Sequence, residues 1–273
     1  MCGTDRFGLS ILLILLPCSM LIAKEVLLSP VSQGYACTEE VRRNIKLTNL
    51  TITFLSSGKV VPYRNEKYMK WADTELKSAK STPYDKPYCL PGGKKLAVFH
   101  LQRFYEYATV SASFYSLDGQ KIGHIKTLYD NSYPSFSPDG EHLVINSSDP
   151  YMAPMIDGKI ILYNIKGEEL FNSGYFPEYF SKTFSMDMKS AYPLLLNLYA
   201  EDSLNFIFSH DSKYFAFPVI ISYQLGSVPK YEAAGNVYIF VISIKGKLVK
   251  AIKEPASTKE ELLHKLHSLL ENK

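Results

Sequence analysis

Phe136-Ser137-Pro138-Asp139-Gly140-Glu141-His142-Leu143-Val144-Ile145 reads as a tight turn feeding a strand. Pro presets φ, Asp bonds the local backbone, and Gly accepts a positive φ. The apolar run behind the turn is short and uninterrupted, as in a strand buried on both faces. The pattern returns at Phe208-Ser209-His210-Asp211-Ser212-Lys213-Tyr214-Phe215-Ala216-Phe217, with His210 and Ser212 in place of Pro and Gly. It returns again at Leu90-Pro91-Gly92-Gly93-Lys94-Lys95-Leu96-Ala97-Val98-Phe99. Phe184-Ser185-Met186-Asp187-Met188-Lys189-Ser190 reads as a decayed fourth copy.

A second element alternates with the first. It is a hairpin with glycine at its tip, at residues 52–61, 113–122, 160–170 and 237–248, with Gly58, Gly119, Gly167 and Gly246 at the tips. X-Gly between β-rich arms is a strong hairpin signal. The offset from turn to hairpin is 26 residues from Gly93 to Gly119 and 27 from Gly140 to Gly167. It is 34 from Ser212 to Gly246, where residues 224–235 read as an insertion. Gly93 to Gly140 is 47 residues, the length of one four-stranded propeller blade. Gly140 to Ser212 is 72, which calls for a large insertion or a degenerate short blade around Phe184.

Ser137-Pro138-Asp139-Gly140 before Leu143-Val144-Ile145, followed by Ile161-Leu162-Tyr163-Asn164-Ile165-Lys166-Gly167, resembles the repeat of TolB-type β-propellers, also called WD40-like or PD40 repeats. The resemblance spans residues 87–252, with a weaker copy at 47–61. It implies a toroid of blades, often exported, that binds proteins or peptides and rarely performs chemistry. The expected fold class is therefore all-β and β-propeller-like, with four to six blades, some degenerate, and a C-terminal α-helix. An incomplete ring or a twisted β-sandwich is the alternative. Pro138, Asp139, Gly140, Asp211, Gly119, Gly167 and Gly246 are expected to be structural turn residues.

Composition agrees. The 273 residues carry 30 Lys+Arg against 27 Asp+Glu, a net charge of +3 that gives no electrostatic case for nucleic acid. A hydrophobic content of 46% with 21% charged residues excludes wholesale disorder. The 20 Tyr and 15 Phe favour strands.

Residues 1–23 read as a secretory signal or an N-terminal anchor. Arg6 precedes an apolar stretch of 17 residues from Phe7 to Ala23, short for a bilayer span of about 20. Cleavage after Ala23 or Ala36 is expected; retention as an anchor, or lipidation at Cys18, would tie the chain to a membrane. The short apolar segments 193–200, 214–223 and 237–244 read as buried strands. Cleavage after Ala23 leaves two cysteines, Cys37 and Cys89, which an oxidising compartment would join. Closing that 52-residue loop is worth about 3–4 kcal/mol in the chain-entropy model. Two unrelated buried thiols are the alternative.

The β-propeller-like domain is expected over residues 24–256, with residues 66–82 as a polar loop or short helix. At residues 257–273 the period changes. Ser257 and Glu260 are spaced as a capping box, and Leu262, Leu263, Leu266, Leu269 and Leu270 follow at helical spacing. The expected helix packs on the β domain or serves as a partner-binding surface. In the latter case its removal would weaken a partner complex and leave the β fold intact.

Catalytic motifs are absent. There is no Gly-x-Ser-x-Gly elbow, no phosphate-binding loop and no His-Glu-x-x-His. His264 and His267 are read as solvated helix positions, and His142 and His210 as surface residues of the turns. Asp139, Asp187 and Asp211 occupy equivalent turn positions, which points to structure rather than acid–base work. No catalytic, cofactor or metal residue is assigned. Asn49-Leu50-Thr51 and Asn146-Ser147-Ser148 are glycosylation sequons, relevant only in a eukaryotic source. Tyr105, Tyr107, Tyr115, Tyr175, Tyr179 and Tyr231 are either strand residues or a binding surface.

The function expected from these readings is an exported, non-enzymatic binding or scaffold protein of the cell envelope, periplasmic or secreted, with a protein partner. The alternatives are a propeller enzyme with a channel site, such as a lactonase or glycan-active hydrolase, and a membrane-anchored structural subunit.

Overall fold

The computed structural model describes residues 39–47, 51–62, 88–101, 109–129, 134–147, 158–187, 192–195, 206–222, 235–255 and 258–271. Among them the strands form four antiparallel sheets. Helix α1 (Glu39–Asn44) leads into sheet 1, made of β1 (Ile45–Leu47), β2 (Thr51–Phe54) and β3 (Lys59–Pro62). Sheet 2 runs β4 (Tyr88–Cys89), β5 (Lys95–Leu101), β6 (Thr109–Ser116), β7 (Lys121–Tyr129). Sheet 3 runs β8 (Ser135–Phe136), β9 (His142–Ser147), β10 (Lys159–Asn164), β11 (Glu169–Asn172). Helix α2 (Phe176–Phe184) follows. Sheet 4 holds β12 (Tyr192–Leu195), β13 (Ile207–Phe208), β14 (Tyr214–Ser222), β15 (Asn236–Ser243) and β16 (Leu248–Pro255), and helix α3 (Lys259–Glu271) ends the fold.

Sheets 1 to 3 are meanders of neighbours in chain order, and sheet 4 keeps that order from β14 to β16 with β12 and β13 sharing one edge of β14, which is the construction of a propeller blade. The fold is all-β and β-propeller-like, with a C-terminal helix. The sheets stack face to face through separate cores. Ile52 and Phe54 of sheet 1 meet Leu96, Val98 and Tyr115 of sheet 2. Ala97, Phe99 and Phe114, on the other face of sheet 2, meet Leu143, Ile145 and Ile161 of sheet 3. Val144, Ile160 and Leu162 then meet Phe215, Phe217 and Phe240 of sheet 4. Alternation along each strand makes this work, because successive side chains serve opposite neighbours. The uninterrupted apolar runs of the sequence are strands covered on both faces, in sheet 4 by sheet 3 on one side and by helix α3 on the other.

The third and largest core is aromatic. Helix α2 inserts Phe176 and Phe180 there, both fully buried. Phe240 is its hub, with ring centroids 5.0 Å from Phe217, 5.5 Å from Phe176 and 5.3 Å from Phe184. Phe184 therefore ends a helix and starts no turn; Ser185 stands just past it in a left-handed conformation, donating its N–H to Ser181 O. The expected fourth turn copy at 184–190 and the degenerate blade around Phe184 are thus replaced by α2. Aromatic residues at positions 176, 179, 180 and 184 have helical spacing, and that pattern overrides the resemblance to Phe-Ser-x-Asp.

The inner strand of sheet 4 is split. β12 pairs with Val219–Ser222 and β13 with Phe215 and Ala216, both along one edge of β14. Pro218, with no N–H to give a ladder, falls opposite the interruption. The strand expected over 193–200 is described only as Tyr192–Leu195.

The capping box forms one residue later than expected. Thr258 N–H donates to Glu261 Oε2 (3.0 Å), and Glu261 N–H donates to Thr258 Oγ1 (3.2 Å). Ser257-Glu260 and Thr258-Glu261 both fit the motif, and the sequence pattern does not choose between them. The helix lays Leu262, Leu266, Leu269 and Leu270 on the face of sheet 4 turned away from sheet 3. No helix among the described residues is long and apolar enough to cross a membrane. Residues 1–23, where a signal or anchor is expected, Cys37, residues 66–82 and Asn49 lie outside the described residues.

Candidate functional site

In a meander, successive connections lie at opposite ends of the sheet. The turns at 91–94, 137–141 and 209–213 and the hairpins at 117–120, 165–168 and 244–247 therefore share one end. All seven assigned turn residues, Pro138, Asp139, Gly140, Asp211, Gly119, Gly167 and Gly246, lie there. The connections after Leu101, Ser147 and Ser222 leave from the other end.

The turns are built alike. Ser137 N–H donates to His142 O and Gly140 N–H to Ser137 O, and Ser209 N–H and Ser212 N–H repeat this with Tyr214 O and Ser209 O. The Ser137 hydroxyl donates to Asp139 Oδ1 (2.5 Å) and accepts from His142 N–H (2.9 Å). The Ser209 hydroxyl donates to Asp211 Oδ1 (2.8 Å) and accepts from Tyr214 N–H (3.0 Å). Each aspartate also accepts a backbone N–H, from Glu141 or from Lys213. These are Asx-type turns, in which the carboxylate stabilises its own loop. Ser137→Ala leaves the half-buried His142 N–H without its acceptor and is expected to cost about 1–2 kcal/mol in urea unfolding. Ser243→Ala, at an exposed hairpin whose bonds are 3.2 and 3.4 Å, is expected to cost about 0.5 kcal/mol.

The turns of successive sheets also touch. Ser57 Oγ donates to Asp118 O at 2.5 Å, joining sheets 1 and 2. A β-carbon at Gly140 would lie 2.7 Å from Pro91 O, and Lys95 pairs with Glu141, joining sheets 2 and 3. Asp139 N–H donates to Ser212 Oγ at 3.1 Å, joining sheets 3 and 4. Ser212 stands in the place of Gly140 with a φ of 58°, and its hydroxyl makes the bond between sheets that glycine could not. The substitution keeps the register of the last copy. A β-carbon at Gly119 would meet the Phe54 ring at 2.8 Å. At Gly167 it would collide with His124 O, and at Gly246 with Leu170 O. Gly123, inside β7 with no turn signal, makes the reciprocal close approach to Ile165 O and was not legible in sequence.

Electrostatics follow the bonding. The Lys213 side chain, then the Ser209 hydroxyl and Lys213 N–H, hold Asp211 down at about 2. Its contribution is present above the ordinary carboxylate range near 4 and is lost as pH falls towards 2. The Ser116 hydroxyl, then Gln120 N–H, lower Asp118.

His142 corrects an expectation: its side chain is 15% exposed, not a surface residue, whereas His210 is exposed. Burial lowers the His142 pKa below its ordinary 6.5 despite Asp139 and Glu141, and Nδ1 has no hydrogen-bond partner. A depressed pKa favours the neutral ring in the folded state. The stabilisation is fully present above 6.5 and is lost as pH falls through the folded value. Thermal melts should therefore show wild type losing stability relative to His142→Gln as pH drops below 6.5; parallel profiles would contradict this. Burial, then Lys121, also lowers His124, whose Nδ1 lies 3.1 Å from Ser113 Oγ.

Other candidates separate. Asp187 follows α2 and is not equivalent to Asp139 and Asp211, which corrects the expected triplet. Tyr115 and Tyr179 pack in cores, Tyr175 is exposed, and Tyr105, Tyr107 and Tyr231 lie outside the described residues. Asn146 is a β9 residue opposite Ile160. Cys89 is buried. No group of three or more His, Cys, Asp or Glu that could hold a metal stands among the described residues, His264 and His267 included.

No protein-family model and no curated protein sequence matches the chain. It is similar to the β-propeller domain of the Trilobed protease from Pyrococcus furiosus, at 9% identity and a TM-score of 0.32, over 60% of this chain and 41% of that one. It is similar to a eukaryotic initiation factor at 9% identity and a TM-score of 0.38, over 77% and 42%. For Pyrococcus horikoshii acylaminoacyl peptidase the values are 10%, 0.33, 59% and 24%. The chain spans less than half the length of each. The blade assignment rests on sheet order and packing.

Proposed function

We propose that the chain is an exported, non-enzymatic, TolB-type β-propeller-like protein that binds a protein partner in the cell envelope. One observation supports this above all: the recurring polar groups of the turns are engaged by the fold itself. The Ser137, Asp139, Ser209 and Asp211 side chains bond their own turns, and Ser212 bonds the next sheet. The most regular end of the molecule is thus a frame, and recognition falls to its other surfaces. On this reading the leader directs export to an oxidising compartment, where Cys37 joins Cys89.

The test is cross-linking in intact source cells, followed by capture of the full chain. One stoichiometric envelope protein is the expected result. Recovery of the chain alone, soluble and unpartnered, would overturn the scaffold reading in favour of a small-ligand or channel enzyme. The N-terminal residue of the mature chain and a Cys37–Cys89 peptide under non-reducing digestion check the export arm.

A further inference from the structure

The two faces of sheet 4 are both apolar and both covered, but by different things. One face, with Phe217 and Phe240, packs on sheet 3. The other presents Ala216, Ile220, Val237, Ile239 and Val241. In a closed ring that second face would receive the next blade, and the last blade would meet the first. Here it receives α3, whose Leu262, Leu266, Leu269 and Leu270 are buried against it. Lys265 pins the helix to β16 through Glu254 at 3.1 Å.

Sheet 1, at the other end of the stack, has the opposite character on its outward face. Ile52, Phe54 and Val61 point to sheet 2, which leaves Thr51, Thr53 and Val60 on the far side. Val60 is 56% exposed and Lys46 and Pro62 are exposed, while Thr51 and Thr53 are half-buried. A face of threonines bordered by lysine and proline is what a solvent-facing terminal sheet needs. Among the described residues Val60 is the one large aliphatic side chain on that face, far less apolar surface than sheet 4 presents to its neighbours.

We infer that α3 takes the seat of a following blade, so that the arc of sheets ends at sheet 4 and does not close on sheet 1. The helix is then a terminal cap belonging to the β fold. Its removal bares an apolar sheet face, contrary to the expectation that the β fold would stand unchanged without residues 257–273. An open arc also encloses no channel between its first and last sheets.

The experiment uses the full chain with Val60→Cys, alkylated with maleimide under native and urea-unfolded conditions and located by mass spectrometry. The expected native rate is within about tenfold of the unfolded rate, because Val60 stands exposed on the outer face of sheet 1. Protection of about a thousandfold, relieved when the chain is cut after Pro255, would show sheet 1 closed on α3 and overturn the inference. The chain cut after Pro255 is expected to self-associate in light scattering, and a synthetic peptide of residues 256–273 is expected to reverse it. A truncated chain that stays monomeric with native amide protection in sheet 4 would also overturn the inference. If that chain does not fold, the full-length thiol rates decide alone.

Discussion

Gly246→Ala is expected to destabilise the protein by about 3–4 kcal/mol. Two costs combine. A residue with a side chain pays about 1–2 kcal/mol for the left-handed conformation, and Gly246 has a φ of 76°. The new β-carbon must also displace the Leu170 carbonyl of the neighbouring sheet, an overpacking cost of about 1–3 kcal/mol. The controls separate the two. Gly235 and Gly58 have φ values of 71° and 68°, but a β-carbon there would meet nothing within 4 Å. Their alanine variants should lose only about 1 kcal/mol. Urea midpoints for the three variants give the comparison. Equal losses would show that the turns do not bear on each other across sheets, and the joints described above would then be incidental.

Phe240→Ala should be costlier still, at about 3–5 kcal/mol. Its ring is fully buried, stacks on Phe217 at 7° and 5.0 Å, and meets Phe176, Phe180 and Phe184 edge-on or tilted. Alanine leaves a void that these four rings and Tyr179, 5.9 Å from Phe240, cannot fill by small movements, since rings are rigid and each is held by others. Phe240→Leu keeps most of the volume and should cost less than about 1.5 kcal/mol. Near-ultraviolet circular dichroism and urea unfolding measure both. Hydrogen exchange should localise the alanine defect to α2, β10 and β15. Small domains hold about 5–15 kcal/mol in total, so either substitution removes a large share. An alanine variant close to wild type would mean that α2 is not clamped to sheet 4.

Local chemistry was legible, and contact across sheets was not. The turn at Pro138-Asp139-Gly140 and the hairpin tips at Gly119, Gly167 and Gly246 could be read because each signals through adjacent residues. The Asp211 copy kept its register although His210 and Ser212 depart from the pattern, because Ser209 and Asp211 still make the turn's bonds. Phe184 misled because a Phe-Ser-x-Asp string at a helix end resembles a turn, and only the spacing back to Phe176 and Phe180 distinguishes it. The capping box slipped by one because two overlapping solutions exist. His142 looked exposed because a turn neighbour usually is; its burial comes from the stacked sheets. Gly123 carried no signal, since its constraint is the backbone of residues 165 and 166 on another sheet.

The cores also stand in series. Sheet 1 shares a core with sheet 2, sheet 2 with sheet 3, sheet 3 with sheet 4, and sheet 4 with α3. Such a stack behaves as a chain of nearest-neighbour couplings, and the unit with the weakest coupling opens first. Among the described residues sheet 1 has three strands of three or four residues and one face with a buried apolar core, whereas sheet 4 has strands of eight and nine residues with such a core on both faces. The stack of described sheets is therefore polarised: it is expected to open from sheet 1 inwards and to hold longest where the aromatic core and the helix lie back to back.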